Sequence, residues 1–442
     1  MPIDSGQSRV ERLNKLRKLG VRRGAHNLVR APEPVASVNR EEVRDAGQAV
    51  LPGGPVDTPF GPAWVRTVRH DLAEYPHLAE FLAVRSEALA ALGRDRSLEK
   101  LDPAGSVFLD TETTGLSLGV GTYTFMIGLG TYEPGAFVVR QYFMRNPGEE
   151  RAQLHLVQEA LAGCSSIVSF NGRAFDLPLL YNRFILARMP LPLRGGPHLD
   201  LLPPARRIWR ARLGSCSLGN LELNILGVRR TIEDVPGWLI PEIYRQYYST
   251  GLASELLARV FYHNLQDITS MPLLAAHMAR FFLTGASVTA SPAEIPSLDR
   301  PLHPLESVSL ARCYLALDWP ETSIAAYRTG LSGSLLDADR RQALSELGSL
   351  FKRLKRREEA AALWEEWIST LPGDDYLPYV ELAKHHEWFT MNLAAARGWT
   401  AWALRIVEAW SPGFARDEAL AELHHRLARL ERKLTGGSPE EG

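Results

Sequence analysis

Ser106-Val107-Phe108-Leu109-Asp110-Thr111-Glu112-Thr113-Thr114-Gly115 is the stretch from which the rest of this chain can be read. Val107-Phe108-Leu109 is a short apolar run of strand type. Alternate side chains of a strand share a face, so Asp110 and Glu112 project together where the apolar run ends. Two neighbouring carboxylates repel, and they are tolerable where a cation neutralises them. Hard oxygen ligands favour Mg²⁺ or Mn²⁺. Taken alone, an Asp-x-Glu pair is more often a solvated strand end.

Outward from this run, Tyr123 to Leu129 and Phe137 to Phe143 read as two further strands, joined through the turn signal Glu133-Pro134-Gly135. Glu149 to Leu161 has helical spacing (Leu154, Val157, Leu161), and Ser166-Ile167-Val168-Ser169-Phe170 is another strand. A helix holding Leu179, Leu180, Phe184 and Ile185 follows. Leu252 to Phe282 is expected to be mostly helix, with a break or kink near Pro272. Three strands in hairpin order followed by helix, strand and helix make an α/β mixed sheet flanked by helices.

Two more groups of polar residues stand on this scaffold. Asn171-Gly172-Arg173-Ala174-Phe175-Asp176 follows the strand ending at Phe170. Asp176 stands where a helix should begin, with Pro178 just inside, so by itself it reads as an N-cap. His263-Asn264-Leu265-Gln266-Asp267 falls in the long helical segment. His263 and Asp267 are four apart and share a face, which in isolation suits a surface His–Asp pair.

The whole chain has 442 residues, enough for two or three domains at about 150 residues each. Hydrophobic residues make up 45% and charged residues 23%, and 50 Lys and Arg stand against 51 Asp and Glu. Any nucleic-acid binding must therefore come from local patches rather than net charge. No run approaches the roughly 18 apolar residues that a membrane helix needs, and no apolar signal core opens the chain. Cys164, Cys216 and Cys313 lie far apart and match neither zinc nor disulfide spacing. A cytoplasmic protein is expected, without a membrane contact.

Residues 1–30 form a basic arm, with Val10, Leu13 and Leu16 as an apolar stripe among Arg9, Arg12, Lys15, Arg17 and Lys18. It suits either a grip on a nucleic-acid backbone or a solvated tail helix. Residues 31–104 are an expected irregular lead-in, since Pro32, Pro34, Pro52, Pro55, Pro59 and Pro62 punctuate their first half. Residues 284–304 read as a Pro-rich linker, and residues 305–436 as helical. In that last region Gly348, Phe351, Ala360, Trp364, Trp367 and Pro372 occupy the small, aromatic and proline positions of a tetratricopeptide unit. The spacing carries over to Ala311, Tyr314, Ser323, Tyr327 and Gly330, and to Ala383, His386, Ala395, Trp399 and Trp402. Residues 416–434 would be a capping helix, and the basic run Lys352 to Arg357 a solvated corner.

In combination, Asp-x-Glu on the first strand, Asn-x-x-x-Phe-Asp after a later one and the helical Asp267 resemble the DEDD family of 3′–5′ exonucleases. That family is the proofreading branch of the ribonuclease H-like superfamily, and the resemblance spans residues 105–283. The flanking text, including His198-Leu199-Asp200-Leu201-Leu202 and Arg206-Arg207-Ile208-Trp209, looks like a bacterial subgroup that joins this domain to tetratricopeptide-like repeats.

The resemblance implies a two-metal phosphodiesterase, with Asp110, Glu112, Asp176 and Asp267 holding two Mg²⁺ or Mn²⁺ ions about 3.5–4 Å apart. It implies that backbone groups at Thr113, Gly115 and Leu116 contact the terminal nucleotide, and that Asn171 and Phe175 line the path of the strand. The family's general base is Tyr four residues before the last Asp, or His five before it. Here His263 and Tyr262 are swapped between those places. On a helix the residue four before shares the face of Asp267, so His263, with an ordinary pKa of about 6.5, is the expected base.

Arg206 and Arg207, with Trp209, Arg210 and Arg212, suit either a strand-binding surface or an amphipathic helix with Trp209 in the core. The expected activity is hydrolysis of single-stranded DNA or RNA from a 3′ end, with a possible protein partner on the repeats. An endonuclease on the same fold and a non-catalytic binding scaffold are the alternatives.

Overall fold

The expected first strand is β3, Ser106–Thr113, in a computed structural model that describes residues 51–115, 121–190, 193, 195–231, 234–286, 301–371, 373 and 375–436. The basic arm, Leu116, Pro372 and most of the Pro-rich linker lie outside the described residues. β3 pairs antiparallel with β4 (Thr124–Glu133), and β4 with β5 (Ala136–Phe143) across the two-residue turn Pro134-Gly135. Gly135 has φ +74°, which a side-chain-free residue adopts readily. On its other edge β3 pairs in parallel with β6 (Ser166–Ser169), and β6 with β7 (His198–Asp200).

Residues 31–104 were expected to be irregular, and the described part of them is not. β1 (Gly54–Thr58) and β2 (Gly61–Asp71) extend the sheet, with β2 pairing along β5, and the helix Ser86–Gly93 follows. The prolines misled because Pro55 lies in β1, a sheet edge where a missing N–H costs no ladder bond. The seven strands run in the order β1-β2-β5-β4-β3-β6-β7, so β3 is interior.

Alternation along β3 settles what covers each face. Val107 and Leu109 pack on the helices Glu150–Ala162 and Asp176–Leu186 through Leu154, Val157, Leu161, Leu180 and Phe184. Phe108 faces the other way, against Phe81 and Ile268. Each such side chain, fully buried, contributes about 1.5–3 kcal/mol. The cover on the second face is the helix Glu255–Ala286. It runs through Pro272 without the expected break, because Met271, Leu274 and Ala275 are buried around the proline and hold the segment in place.

That long helix can lie close to the sheet because β4 is notched. A Cβ on Gly128 would stand 2.2 Å from Ile268 Cδ1 and 2.3 Å from Asn264 Oδ1. One on Gly130 would stand 2.6 Å from Ile268 Cγ2. Gly128 is the register partner of Asp110, so the notch lies beside the first carboxylate.

From Pro304 onward every described element is a helix, at Pro304–Ala316, Pro320–Ser332, Asp337–Arg353, Arg357–Thr370, Leu377–Trp388, Leu393–Glu408 and Phe414–Leu434. In the first two pairs the small and aromatic positions are buried as spaced: Ala311, Tyr314, Ser323 and Tyr327, then Phe351, Ala360, Trp364 and Trp367. A Cβ on Gly348 would meet Trp364 Nε1 at 2.9 Å, so the small residue there is what lets the pair close. In the third pair Ala383 is buried as spaced, but His385 is buried in place of His386, the second helix buries Ala396, Thr400 and Ala403, one residue after the expected positions, and Trp402 is half exposed. The helical part joins the sheet part through Arg212–Glu306 (2.6 Å) and through the Tyr314 hydroxyl, which donates to the Phe282 carbonyl (2.6 Å).

Candidate active site

Strand β3 ends in the carboxylates of Asp110 and Glu112, on the face covered by the long helix. Asn264, fully buried on that helix, donates its amide to Asp110 Oδ2 at 2.8 Å. Asn264 is itself held by Gln141 on β5, whose amide donates to Asn264 Oδ1 at 2.9 Å and to the Phe261 carbonyl at 2.7 Å. At Glu112/Thr113 the pairing of β3 with β4 shifts register, which ends the regular ladder beside the site.

Asp176 arrives from the neighbouring parallel strand. It is the first residue of its helix rather than the cap, and its carboxylate accepts from Thr111 Oγ1 at 2.5 Å. The loop before it is shaped by Asp200 on β7. That buried carboxylate accepts from the backbone N–H groups of Asn171 (2.8 Å), Arg173 (3.1 Å) and Leu202 (3.1 Å). Asn171 has φ +67°, and a Cβ on Gly172 would stand 2.5 Å from Ser169 Oγ and 3.3 Å from Asp176 Oδ2.

Asp267 and His263 share a face of the long helix, with His263 Nε2 3.6 Å from Asp267 Oδ2. His263 Nδ1 lies 2.6 Å from Asp234 Oδ1. A guanidinium joins them. Arg230 donates to Glu222 through Nε (2.6 Å) and Nη2 (2.7 Å), lies 3.4 Å from Asp234 Oδ2, and hydrogen-bonds Asp267 Oδ1. Glu222, 1% exposed, opens the π-helical turn Glu222–Leu226.

The charges are strongly coupled. Burial, then Asp267, Glu112 and Asp176, push the Asp110 carboxyl well above its usual range, against the hydrogen bond from Asn264. Glu112 is raised in the same way by burial, Asp267 and Asp176, with Arg230 opposing. Burial lifts Asp176 to about 6 despite the Thr111 hydrogen bond. Asp267 is raised by burial, while His263 and Arg230 pull it down.

A largely buried set of oxygen donors, in which Asp110 and Glu112 are raised by their carboxylate neighbours, is chemically suited to a hard divalent cation. Among the described residues no three His, Cys, Asp or Glu side chains close into a ready-made ligand cluster. Oxygens of Asp110, Asp176 and Asp267 are engaged by Asn264, Thr111 and Arg230.

Residues 107–279 match the model of the ribonuclease H superfamily. The chain is also 30% identical over 374 residues to YprB of Bacillus subtilis strain 168, itself described as uncharacterised, covering 83% of this chain and 84% of that protein. The chain belongs to the YprB family. Its ribonuclease H superfamily domain contains every residue of the site described above. Among the described residues no helix is long and apolar enough to cross a membrane.

The other residues expected to contact the substrate are placed as follows in this YprB-family chain. Thr113 is buried and its hydroxyl donates to the Gly115 carbonyl at 2.8 Å. Asn171 is exposed and Phe175 partly so, on the loop before Asp176. Arg207 donates to the Leu92 carbonyl, Arg212 pairs with Glu306, and Trp209 is fully buried, so the Arg-rich helix Leu202–Leu213 is amphipathic with a core-facing tryptophan. Arg206 is exposed. Tyr262 accepts from the Thr231 backbone N–H at 3.1 Å. The sequence reading missed Arg230, Glu222 and Asp234, which carry no spacing signal. Asn264 lay inside the quoted motif, three residues before Asp267, and helical spacing alone would have put both on one face.

Proposed function

We propose that this chain is a metal-dependent nuclease that hydrolyses single-stranded DNA or RNA from the 3′ end. The observation that carries the reading is the placement around the end of β3, where Asp110 accepts from Asn264 on the helix that bears Asp267, and Thr111, between Asp110 and Glu112, donates to Asp176. These four carboxylates would hold two Mg²⁺ or Mn²⁺ ions, which when bound supply Lewis acidity toward both the attacking and leaving oxygens.

The remaining chemistry belongs to the chain. With Nδ1 protonated and donating to Asp234, His263 presents Nε2 as the acceptor for a proton from the attacking water. Asp234 fixes the ring and stabilises the imidazolium that forms. Tyr262 is a weaker candidate, since its hydroxyl is bound at the Thr231 backbone. Thr113, Gly115 and Leu116 would meet the terminal nucleotide, and Asn171 and Phe175 the strand behind it. Arg206 is free to meet a phosphate, and Arg207 is committed to Leu92. The helical part is read as tetratricopeptide-like units, supported by the recurrent small and aromatic positions of its first two pairs.

The test incubates wild type and Asp110→Ala with 5′-labelled single-stranded DNA and RNA, in Mn²⁺, Mg²⁺ or EDTA. A metal-dependent ladder receding from the 3′ end, absent in Asp110→Ala, is expected. Cleavage of circular single-stranded DNA would turn the reading to an endonuclease. A folded protein that cuts nothing would turn it to a binding scaffold.

A further inference from the structure

The basic run Lys352 to Arg357, expected to be a solvated corner, contributes to a cleft in the helical part. Lys352, Lys355 and Arg357 line it together with Lys384, Trp364 and Trp388. Its volume is about 310 Å³, at the lower end of the range for ligand pockets, roughly 300–1,000 Å³. The acid lining it is Glu381, whose two oxygens are taken by Lys352 (2.5 Å) and Lys384 (2.7 Å). Lys355 and Arg357 have no carboxylate partner among the described residues. Glu358 and Glu365, which act on His385, do not line the cleft.

One detail says that Arg357 is presented rather than merely solvated. Arg357 lies 3.9 Å over the ring of Phe389, which keeps its guanidinium at the rim. Trp388 remains 49% exposed, with the Arg426 guanidinium 5.5 Å from its ring centroid on one side and the other side open to a planar partner, while the Phe389 ring is taken by Arg357. Cations for a phosphate backbone next to exposed aromatic faces are the combination that takes single-stranded nucleic acid without regard to sequence. An acidic peptide would satisfy the charge and leave the rings without a planar partner.

We propose that this cleft binds a single strand of nucleic acid, with phosphates on Lys355 and Arg357 and a base on Trp388. The proposal rests on the nuclease reading only for the source of that strand, namely the substrate's trailing portion.

The experiment measures anisotropy of a 5′-fluorescein 20-mer, DNA and RNA, with the full chain carrying Asp110→Asn so that nothing is cut. The double variant Lys355→Gln/Arg357→Gln should weaken binding about tenfold and reduce the slope of log affinity against log salt by about 1.4. Trp388→Ala should weaken it several-fold with the slope unchanged. Circular dichroism and a Lys355→Arg/Arg357→Lys variant that keeps affinity exclude misfolding as the cause. Unchanged affinity and slope in the glutamine variant would overturn the proposal. So would displacement by poly-glutamate as effective as by oligonucleotide of equal charge with Trp388→Ala silent, which assigns the cleft to an acidic protein. A trinucleotide substrate, assayed with the native carboxylates, reports the carboxylate site alone. Cutting of the trinucleotide together with cleft variants that are silent in the 20-mer binding assay removes only this proposal, while weakened 20-mer binding without any cutting removes only the nuclease reading.

Discussion

Asp176 illustrates how a site residue acts against the stability of the fold that holds it. Its pKa is raised from an ordinary 3.8 to about 6, so its contribution is fully present below about pH 4 and is lost as pH rises through 6. A shift of that size corresponds to about 3 kcal/mol. Metal-free Asp176→Asn, whose Oδ1 can still accept from Thr111, should therefore be the more stable protein at pH 7.5, by up to about 3 kcal/mol. The gap should close toward pH 4. Urea denaturation in EDTA between those pH values measures it, and a gap independent of pH would contradict the assignment. By the same linkage, Mn²⁺ added to wild type near pH 6 should release protons, read by calorimetry in buffers of different ionisation enthalpy. Arg230 works in the opposite direction. Removing it in Arg230→Ala leaves buried Glu222 uncompensated and should cost about 3–5 kcal/mol in the same denaturation assay.

The elements differed in how plainly the sequence announced them. β3, β4 and β5 were legible because apolar runs and the Pro134-Gly135 turn are local signals. β1 and β2 were not, since prolines tolerated at a sheet edge look like those of an irregular segment. Asp110, Glu112, Asp176, His263 and Asp267 each look structural by spacing alone, and stand out only through the resemblance of their combination to the DEDD pattern. Arg230 and Glu222, eight residues apart across a π-helical turn, meet only through tertiary folding. The glycine notch of β4 is an element-scale device, and it gives a prediction at that scale. Gly128→Ala must push the helix Glu255–Ala286 outward and should cost about 1–3 kcal/mol. It should also reduce cleavage by far more than that loss of stability implies, because Asn264, His263 and Asp267 all ride on the helix. Gly163→Ala, where a Cβ meets nothing within 4 Å, is the silent control. Denaturation and single-turnover cleavage together check it.

At the scale of the molecule, one buried apolar cluster runs from Leu78 and Phe81, through Ile268 and Phe281, to Tyr314, Trp364 and Leu382. The sheet part and the helical part therefore share a core, and heating should give a single cooperative transition by calorimetry. A chain ended at Ala286 would expose the apolar face around Phe282 that Tyr314 now covers. It should be insoluble or unfold broadly. Two well-separated transitions in the full chain would show the two parts to be independent.

The relay that reaches Asp110 begins on β2, where Arg66 lies 3.3 Å from Gln141 Oε1, and continues through Gln141 and Asn264. Its two inner members are amides, which neither gain nor lose a proton across the biological range. The aim of the first carboxylate is thus set by groups blind to acidity, while its own charge is free to vary. Acid can change the charge of Asp110 without this relay losing its alignment.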